Sequence, residues 1–293
     1  MAKFTKIPTD IITMRDYFRY FMDQLSAIYM AKEAESIFYI LLEDLLGISK
    51  ADLYTKSIIP GRKESSILKK ALLKLLDHMP IQYVTGKTLF YGCPIILNKS
   101  VLIPRPETEE LVSLFINENK KKNPSVMDIG TGSGCLAIAI KKSIPGAKVY
   151  GTDVSEKAMV LARDNAKLNQ VEVVIFRLNI LSKKLRSKGM PFLDYIISNP
   201  PYVIESEKKH MDKNVTKYEP ASALYVPDDH ALMFYEAIAD FGKMNLVRGG
   251  EIYVEINESL GEEIKNLFIL SGYKNVKVLQ DMSGKDRFGK AIW

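Results

Sequence analysis

At residues 126–134 an apolar run turns into a glycine loop, Val126-Met127-Asp128-Ile129-Gly130-Thr131-Gly132-Ser133-Gly134, and a helix-forming stretch follows at 136–142. A strand that passes through glycines straight into a helix is the first half of a βαβ unit. The chain beyond it keeps that rhythm. Strands are predicted at 148–152, 171–176, 193–198, 251–256 and near 276–279, with helices at 155–168, 231–245 and about 258–270. Such alternation predicts an α/β fold with a doubly wound, mostly parallel sheet.

The loop also has a chemical reading. Glycines let the backbone turn tightly and approach a ligand, and the helix behind them offers free N–H groups. The spacing is Gly-x-Gly-x-Gly, and Cys135 stands where a dinucleotide fingerprint would carry its last glycine. Asp153 closes the next predicted strand, 23 positions after Gly130. A carboxylate there can accept both ribose hydroxyls of an adenosine ligand; a helix N-cap is the plainer alternative.

The first 85 residues read differently. Segments 11–29 and 31–46 have helical spacing, and Gly47 suits a C-terminal cap. Ser49 with Asp52 reads as an N-cap with its acidic partner. Ile67, Leu68, Ala71, Leu72, Leu75 and Leu76 form one apolar helical face that Pro80 ends. With 12 Lys/Arg against 10 Asp/Glu, this region is a poor candidate for gripping nucleic acid. Residues 86–104 are rich in β-formers around Gly92-Cys93-Pro94 and predict a β-hairpin. The expected organisation is a helical domain at 1–85, a hairpin linker at 86–104 and the α/β domain at 105–293.

Ser198-Asn199-Pro200-Pro201-Tyr202 follows the strand predicted at 193–198. Two prolines fix the backbone and leave carbonyls without competing N–H groups. Asn199 offers a side-chain carbonyl, Pro200 a backbone carbonyl, and Tyr202 a flat aromatic face. Together they suit a planar –NH2 group, with two acceptors for its hydrogens and a ring against its face.

The glycine loop and Asp153 resemble the S-adenosylmethionine site of class I methyltransferases. The resemblance implies a seven-stranded Rossmann-like sheet and a cofactor site made of Asp128, Gly130, Thr131, Gly132, Ser133, Gly134, Asp153, Asn179, Ile180 and Asn199. Asn179 matches the position that contacts adenine, where that family more often has Asp, and Ile180 would pack on the ring. Asn-Pro-Pro-Tyr is the signature of methyltransferases that act on planar nitrogens. Further motifs narrow the resemblance. They are Pro80-Ile81-Gln82-Tyr83, Phe90-Tyr91-Gly92, the 101–112 stretch with Pro104-Arg105-Pro106-Glu107-Thr108-Glu109, Glu219-Pro220-Ala221-Ser222-Ala223-Leu224, and Asp281-x-x-Gly284-x-Asp286-Arg287. Together they resemble the HemK/PrmC family, protein glutamine methyltransferases that modify peptide-chain release factors. This implies transfer of a methyl group from S-adenosylmethionine to the glutamine amide of a Gly-Gly-Gln motif. Asn199, Pro200 and Tyr202 would be catalytic, and Asn199, Pro200, Pro201 and Tyr202 would hold the substrate. The segment 226–232 departs from the family pattern.

Other residues carry two readings each. Arg105, Glu107, Thr108 and Glu255 fit either closure over the cofactor or a structural corner. Arg287 beside Asp286 reads as a structural pair, and His210 and His230 as surface residues. Two cysteines, Cys93 and Cys135, and three scattered histidines argue against a metal site. No apolar run is long enough for a membrane span, and the start shows no export signal, so a cytoplasmic monomer is expected. An amino-methyltransferase acting on adenine or guanine in nucleic acid shares the Asn-Pro-Pro-Tyr chemistry but calls for a strongly basic recognition surface, which the balanced charge of residues 1–85 does not offer; the net charge of +6 over 293 residues is mildly basic, which favours an acidic partner or RNA without demanding one. A glutamine methyltransferase acting on a ribosomal protein is a further alternative, and a non-enzymatic adenosine-binding adaptor the weakest. Stable nucleic-acid binding is not expected.

Overall fold

The structure is a computed structural model and describes residues 11–182 and 190–293. The first ten residues of the expected 1–85 domain lie outside it. Contacts divide the chain into two units. One holds the chain up to Gly86 together with Lys213–Tyr218; the other holds Lys87–Asp212 and Glu219–Trp293.

The first unit is helical: α1 (Met14–Leu25), α2 (Ala31–Leu41), α3 (Lys50–Thr55), α4 (Arg62–Leu76) and α5 (Ile81–Thr85). Its helix ends are set by local chemistry. Thr13 with Asp16, and Ser49 with Asp52, form reciprocal capping boxes. The helix α2 runs on through a π-helical turn, Leu42–Leu46, to Gly47 at φ +66°. Leu68, Ala71, Leu72 and Leu75 of α4 are buried with Phe21, Phe38 and Leu41, so the apolar face read from the sequence is the core. In the same unit Asp77 accepts from Lys217 Nζ and from the Tyr218 hydroxyl, each at 2.5 Å.

The second unit begins with a hairpin, β1 (Lys87–Phe90) and β2 (Cys93–Ile96), paired antiparallel. The segment read as a linker thus belongs to the larger unit. Tyr91 and Gly92 turn it with φ of +48° and +72°, the two left-handed residues of a tight hairpin turn. The helices α6 (Pro106–Glu118), α7 (Cys135–Ser143), α8 (Glu156–Leu168), α10 (Met233–Asn245) and α11 (Gly261–Leu270) flank a sheet; the short α9 (Lys213–Tyr218) belongs to the helical unit. The sheet strands are β3 (Ser125–Ile129), β4 (Lys148–Asp153), β5 (Val174–Arg177), β6 (Leu193–Ser198), β9 (Leu246–Glu255), β10 (Lys274–Gln280) and β11 (Asp286–Ile292), while β7 (Val203–Ile204) and β8 (Tyr225–Val226) pair separately.

Across the sheet the order is β10-β11-β9-β6-β3-β4-β5. The five strands from β5 to β9 are parallel; β11 runs antiparallel between β9 and the edge strand β10, which points the same way as the five. The central strands β3 and β6 are buried along nearly their whole length, as a parallel sheet covered by helices on both faces requires. From β3 the chain winds outward through β4 and β5, then returns to lay β6 on the other side of β3. That reversal opens a crevice beyond the carboxyl ends of β3 and β6, where ligands of open α/β sheets bind. Ile129 at the end of β3 is level with Ser198 on β6 and Thr152 on β4. The glycine loop and the proline corner, far apart in sequence, therefore leave the sheet side by side.

Two strands depart from the sequence reading. The strand β11 has no counterpart among the strands predicted from sequence. The strand β9 starts at Leu246, before the expected 251, and passes through Gly249 at φ +79°, beside a register shift against β6.

Candidate functional site

A cleft of about 190 Å3 occupies that crevice. Asp128, Gly130, Thr131, Gly132, Ser133, Asp153, Asn179, Ile180, Asn199, Pro200 and Pro201 all line it, so residues drawn from four strand ends meet in one place. Gly134 and Tyr202 are not part of the lining. The sequence reading did not single out Val101, Leu102, Pro104, Pro220 and Phe234 as lining residues, yet they close the cleft around the loop. Val101, Leu102 and Pro104 lie within the 101–112 motif and Pro220 within the 219–224 motif; Phe234 carries no local signal.

The three glycines of the loop do different things. Gly130 and Gly132 have φ of +76° and +54°, and a Cβ on either would meet little: nothing within 4 Å at Gly130, one carbonyl oxygen at 3.9 Å at Gly132. They leave an open cradle at the cleft. Gly134, at φ +81°, is tight instead, because a Cβ there would lie 3.0 Å from the Ala162 Cβ on α8. It lets α7 pack against α8.

Asp153 ties two elements together. Its Oδ2 accepts from Gly132 N at 3.0 Å and its Oδ1 from Ser155 N at 2.8 Å. The helix N-cap itself is Ser155, whose hydroxyl accepts from Ala158 N. Each oxygen of Asp153 keeps a lone pair for a further donor. Asp128 is buried beside it and accepts from the Thr131 hydroxyl at 2.7 Å. Burial pushes its carboxyl up to about 7; the Thr131 bond works against this, and the negative charge of Asp153 adds to it. Cys135, the first residue of α7, also lines the cleft, and burial pushes its thiol up to about 12.

Asn179 sits at the cleft with its side-chain oxygen accepting from Leu181 N at 3.1 Å. That leaves its –NH2 to offer. An aspartate at this position would have only acceptors.

At the proline corner, Ser198 donates to the Ile129 carbonyl at 2.6 Å and fastens the end of β6 to that of β3. Asn199 Nδ2 donates to Thr108 Oγ1 at 3.0 Å. Thr108, in the first turn of α6, donates to Glu255 Oε2 at 2.7 Å, and the Tyr202 hydroxyl donates to Glu255 Oε1 at 3.0 Å. Glu255 is 1% exposed; burial raises its pKa, while the two hydroxyls and Arg287 favour its charged form. Burial and the adjoining Glu255 charge raise the Tyr202 pKa, so Tyr202 stays a phenol. The ring expected to face a substrate is thus anchored at its far end. Arg105 takes a structural partner. Its Nη2 donates to Glu219 Oε1 at 2.6 Å, and Glu219 Oε2 accepts from Ile103 N at 3.1 Å, which pins the 101–105 segment to the 219–224 segment.

Arg287 does not pair with Asp286. It donates to Asp281 Oδ2 at 3.2 Å and reaches Glu258 at 3.5 Å, while Asp286 accepts from Gln280. Adjacent residues of β11 face opposite sides of the sheet, which rules out the neighbour as a partner. His210 and His230 are exposed. In the divergent 226–232 segment, Val226 ends β8 and Asp228 accepts from Ser206 N at 3.2 Å. Among the described residues no His, Cys, Asp or Glu group is placed to hold a metal ion, and no helix is long and apolar enough to cross a membrane.

Comparison with known proteins places the chain in a family. Residues 16–86 match the PrmC N-terminal domain, and residues 107–218 match the methyltransferase small domain. A release factor glutamine methyltransferase of Flavobacterium psychrophilum is 42% identical over 285 residues, covering 94% of this chain and 98% of that one. Another from Bacteroides thetaiotaomicron is 39% identical, covering 92% and 96%. The crystal structure of a methyltransferase from Pyrococcus furiosus shares the fold, with a TM-score of 0.51 at 22% identity over 69% of this chain and 88% of that one. With full-length relatives this similar on both sides of the domain boundary, the chain belongs to the release factor glutamine methyltransferase family.

Proposed function

We propose that this chain methylates the side-chain amide nitrogen of the glutamine in the Gly-Gly-Gln motif of peptide-chain release factors, acting as a cytoplasmic monomer. The observation that carries the reading is the corner at Asn199. Its Nδ2 is committed to Thr108, its Oδ1 accepts no hydrogen bond from the described residues, and it lines the same cleft as the glycine cradle.

The residues present fit an S-adenosylmethionine donor. Gly130 and Gly132 leave room for its amino-acid portion, Asp153 has lone pairs for its ribose hydroxyls, and Ile180 and the Asn179 –NH2 flank a place for adenine, the latter able to donate to a ring nitrogen. Bound there, the donor supplies an electrophilic methyl on a sulfonium. An amide nitrogen is a weak nucleophile because its lone pair is delocalised, so the protein's work is mostly positioning. Asn199 Oδ1 and the Pro200 carbonyl accept the two amide hydrogens. This draws electron density onto the nitrogen and aims it at the methyl carbon. With the donor bound, transfer of its methyl from sulfur to this nitrogen would leave a neutral thioether, and the nitrogen would lose its extra proton to water. Tyr202, fixed by its hydroxyl, and the two prolines keep the corner rigid. The helical unit supplies surface for recognising the protein substrate.

The test is methyl transfer from labelled donor to a purified release factor, its Gly-Gly-Gln glutamine→Ala variant, a ribosomal protein fraction and DNA. Label is expected in the intact factor alone. Label in DNA but not in the factor overturns the reading, and label in the ribosomal fraction moves the substrate while keeping the chemistry. Asn199→Ala should lower kcat about 100-fold while changing donor Kd less than about twofold. Equal losses in both would contradict the assigned role.

A further inference from the structure

A side-chain amide has two ends of nearly the same shape and opposite polarity. If Asn199 is to accept a hydrogen from a substrate amide, something must keep its oxygen, and not its –NH2, turned to the cleft. Turned the other way, –NH2 would face –NH2. The backbone does not decide this, because the terminal torsion of asparagine is broad and close to two-fold.

The hydrogen bonds around it do. Two hydroxyls converge on Glu255, one on each oxygen, Thr108 at 2.7 Å and Tyr202 at 3.0 Å, and together with Arg287 they favour its ionised form against the pull of burial. A carboxylate only accepts. Thr108 has one hydroxyl proton, and Glu255 takes it. The Thr108 oxygen is left able only to accept, and what it accepts from is Asn199 Nδ2 at 3.0 Å. Each bond fixes the polarity of the next. Glu255 is itself held: it is buried at the end of β9, and its own carbonyl accepts from the Tyr235 hydroxyl at 3.1 Å. Val254 is level with Ser198 on β6, so the carboxylate and the asparagine stand at neighbouring strand ends.

We propose that Thr108 and Glu255 are positioning residues, a chain of hydrogen bonds of fixed direction that keeps the Asn199 amide oxygen turned to the substrate nitrogen. The inference rests on the catalytic reading of Asn199 given above. It assigns to Thr108 an effect on rate that operates through Asn199 and nowhere else.

That condition makes it testable. Thr108→Val removes the hydroxyl and keeps the shape; Thr108→Ala removes it with no steric demand. Each should lower kcat about tenfold or more and leave the Kd for S-adenosylhomocysteine within about twofold of the parent. Thr108→Ser, which keeps the donor and acceptor, should restore most of the rate. In an Asn199→Ala background the Thr108→Val change should lower kcat by less than about twofold further, because the group it positions is already gone. A structural brace would behave otherwise. Losses that multiply in the double variant, or a Thr108→Ser rate as low as that of Thr108→Val, overturn the proposal. So does a parental rate in Thr108→Val or Thr108→Ala while Asn199→Ala is slow; in that case the catalytic reading of Asn199 stands and only the chain of bonds falls. A parental rate in Asn199→Ala overturns both together. Should Thr108→Val lose donor binding through misfolding, Thr108→Ala decides.

Discussion

Asp153 Oδ2 accepts from Gly132 N at 3.0 Å, so the carboxylate at the end of β4 also holds the middle of the loop that follows β3. Removing it should loosen the loop and delete the ribose acceptors at once. Asp153→Ala is expected to weaken S-adenosylhomocysteine binding by about 10- to 100-fold, the range for losing a charged hydrogen-bond partner. Calorimetric titration measures it, and an unchanged Kd would remove Asp153 from the donor site.

The loop glycines predict contrasting losses. Gly130→Ala and Gly134→Ala both force an L-residue to positive φ, at a cost of ~1–2 kcal/mol. Gly134→Ala adds a Cβ only 3.0 Å from Ala162, so it should be the less stable of the two in urea. Gly130→Ala instead directs its methyl into open space beside the cleft and should be the poorer binder of donor for its stability. The reverse ranking in both measurements would mean that the two glycines have been assigned the wrong jobs.

Asp128 should imprint itself on stability as a function of pH. Its ordinary value is 3.8, and burial pushes it up to about 7. Below the first value the carboxyl is neutral in both folded and unfolded chains. Between the two, the unfolded chain ionises first, so stability drains away as pH rises, and above about 7 the loss is complete. The total is at most a few kcal/mol, by roughly 1.4 kcal/mol per unit. Asp128→Asn cannot ionise and still accepts from Thr131. Its urea midpoint relative to the parent should therefore rise from pH 4.5 to pH 8. A constant difference across that range would show that the carboxyl titrates normally.

The residues that were legible in the sequence share one property: their neighbours in the chain reveal them. Glycines between a strand and a helix, an acid at the next strand's end, and Asn-Pro-Pro-Tyr after a buried strand are local patterns, and the parallel register then brings all three to one edge. Thr108 and Glu255 each carry two readings in the sequence, because the bond joining them spans 147 positions and no local pattern can pair them. The strand β11 was hidden by its composition. Asp286-Arg287-Phe288-Gly289-Lys290 has three charges, and its glycine is a packing requirement: a Cβ at Gly289 would lie 3.0 Å from Val254 Cγ2 on the next strand. The early start of β9 is hidden by Gly249-Gly250, because paired glycines have no side chain to mark a strand pattern. In the structure Gly249 N donates to the Trp293 carbonyl at 2.8 Å and the strand continues.

The placement of Cys135 has a consequence for the enzyme's own survival. A methyl sulfonium alkylates whatever strong nucleophile it meets, and a thiolate is a far better one than a carboxamide. Cys135 shares the wall of the cleft with the glycine loop. Kept protonated at physiological pH by its burial, it presents the inert form of sulfur. A methyl donor seated in that cleft, as proposed above, would meet a thiol there and not a thiolate.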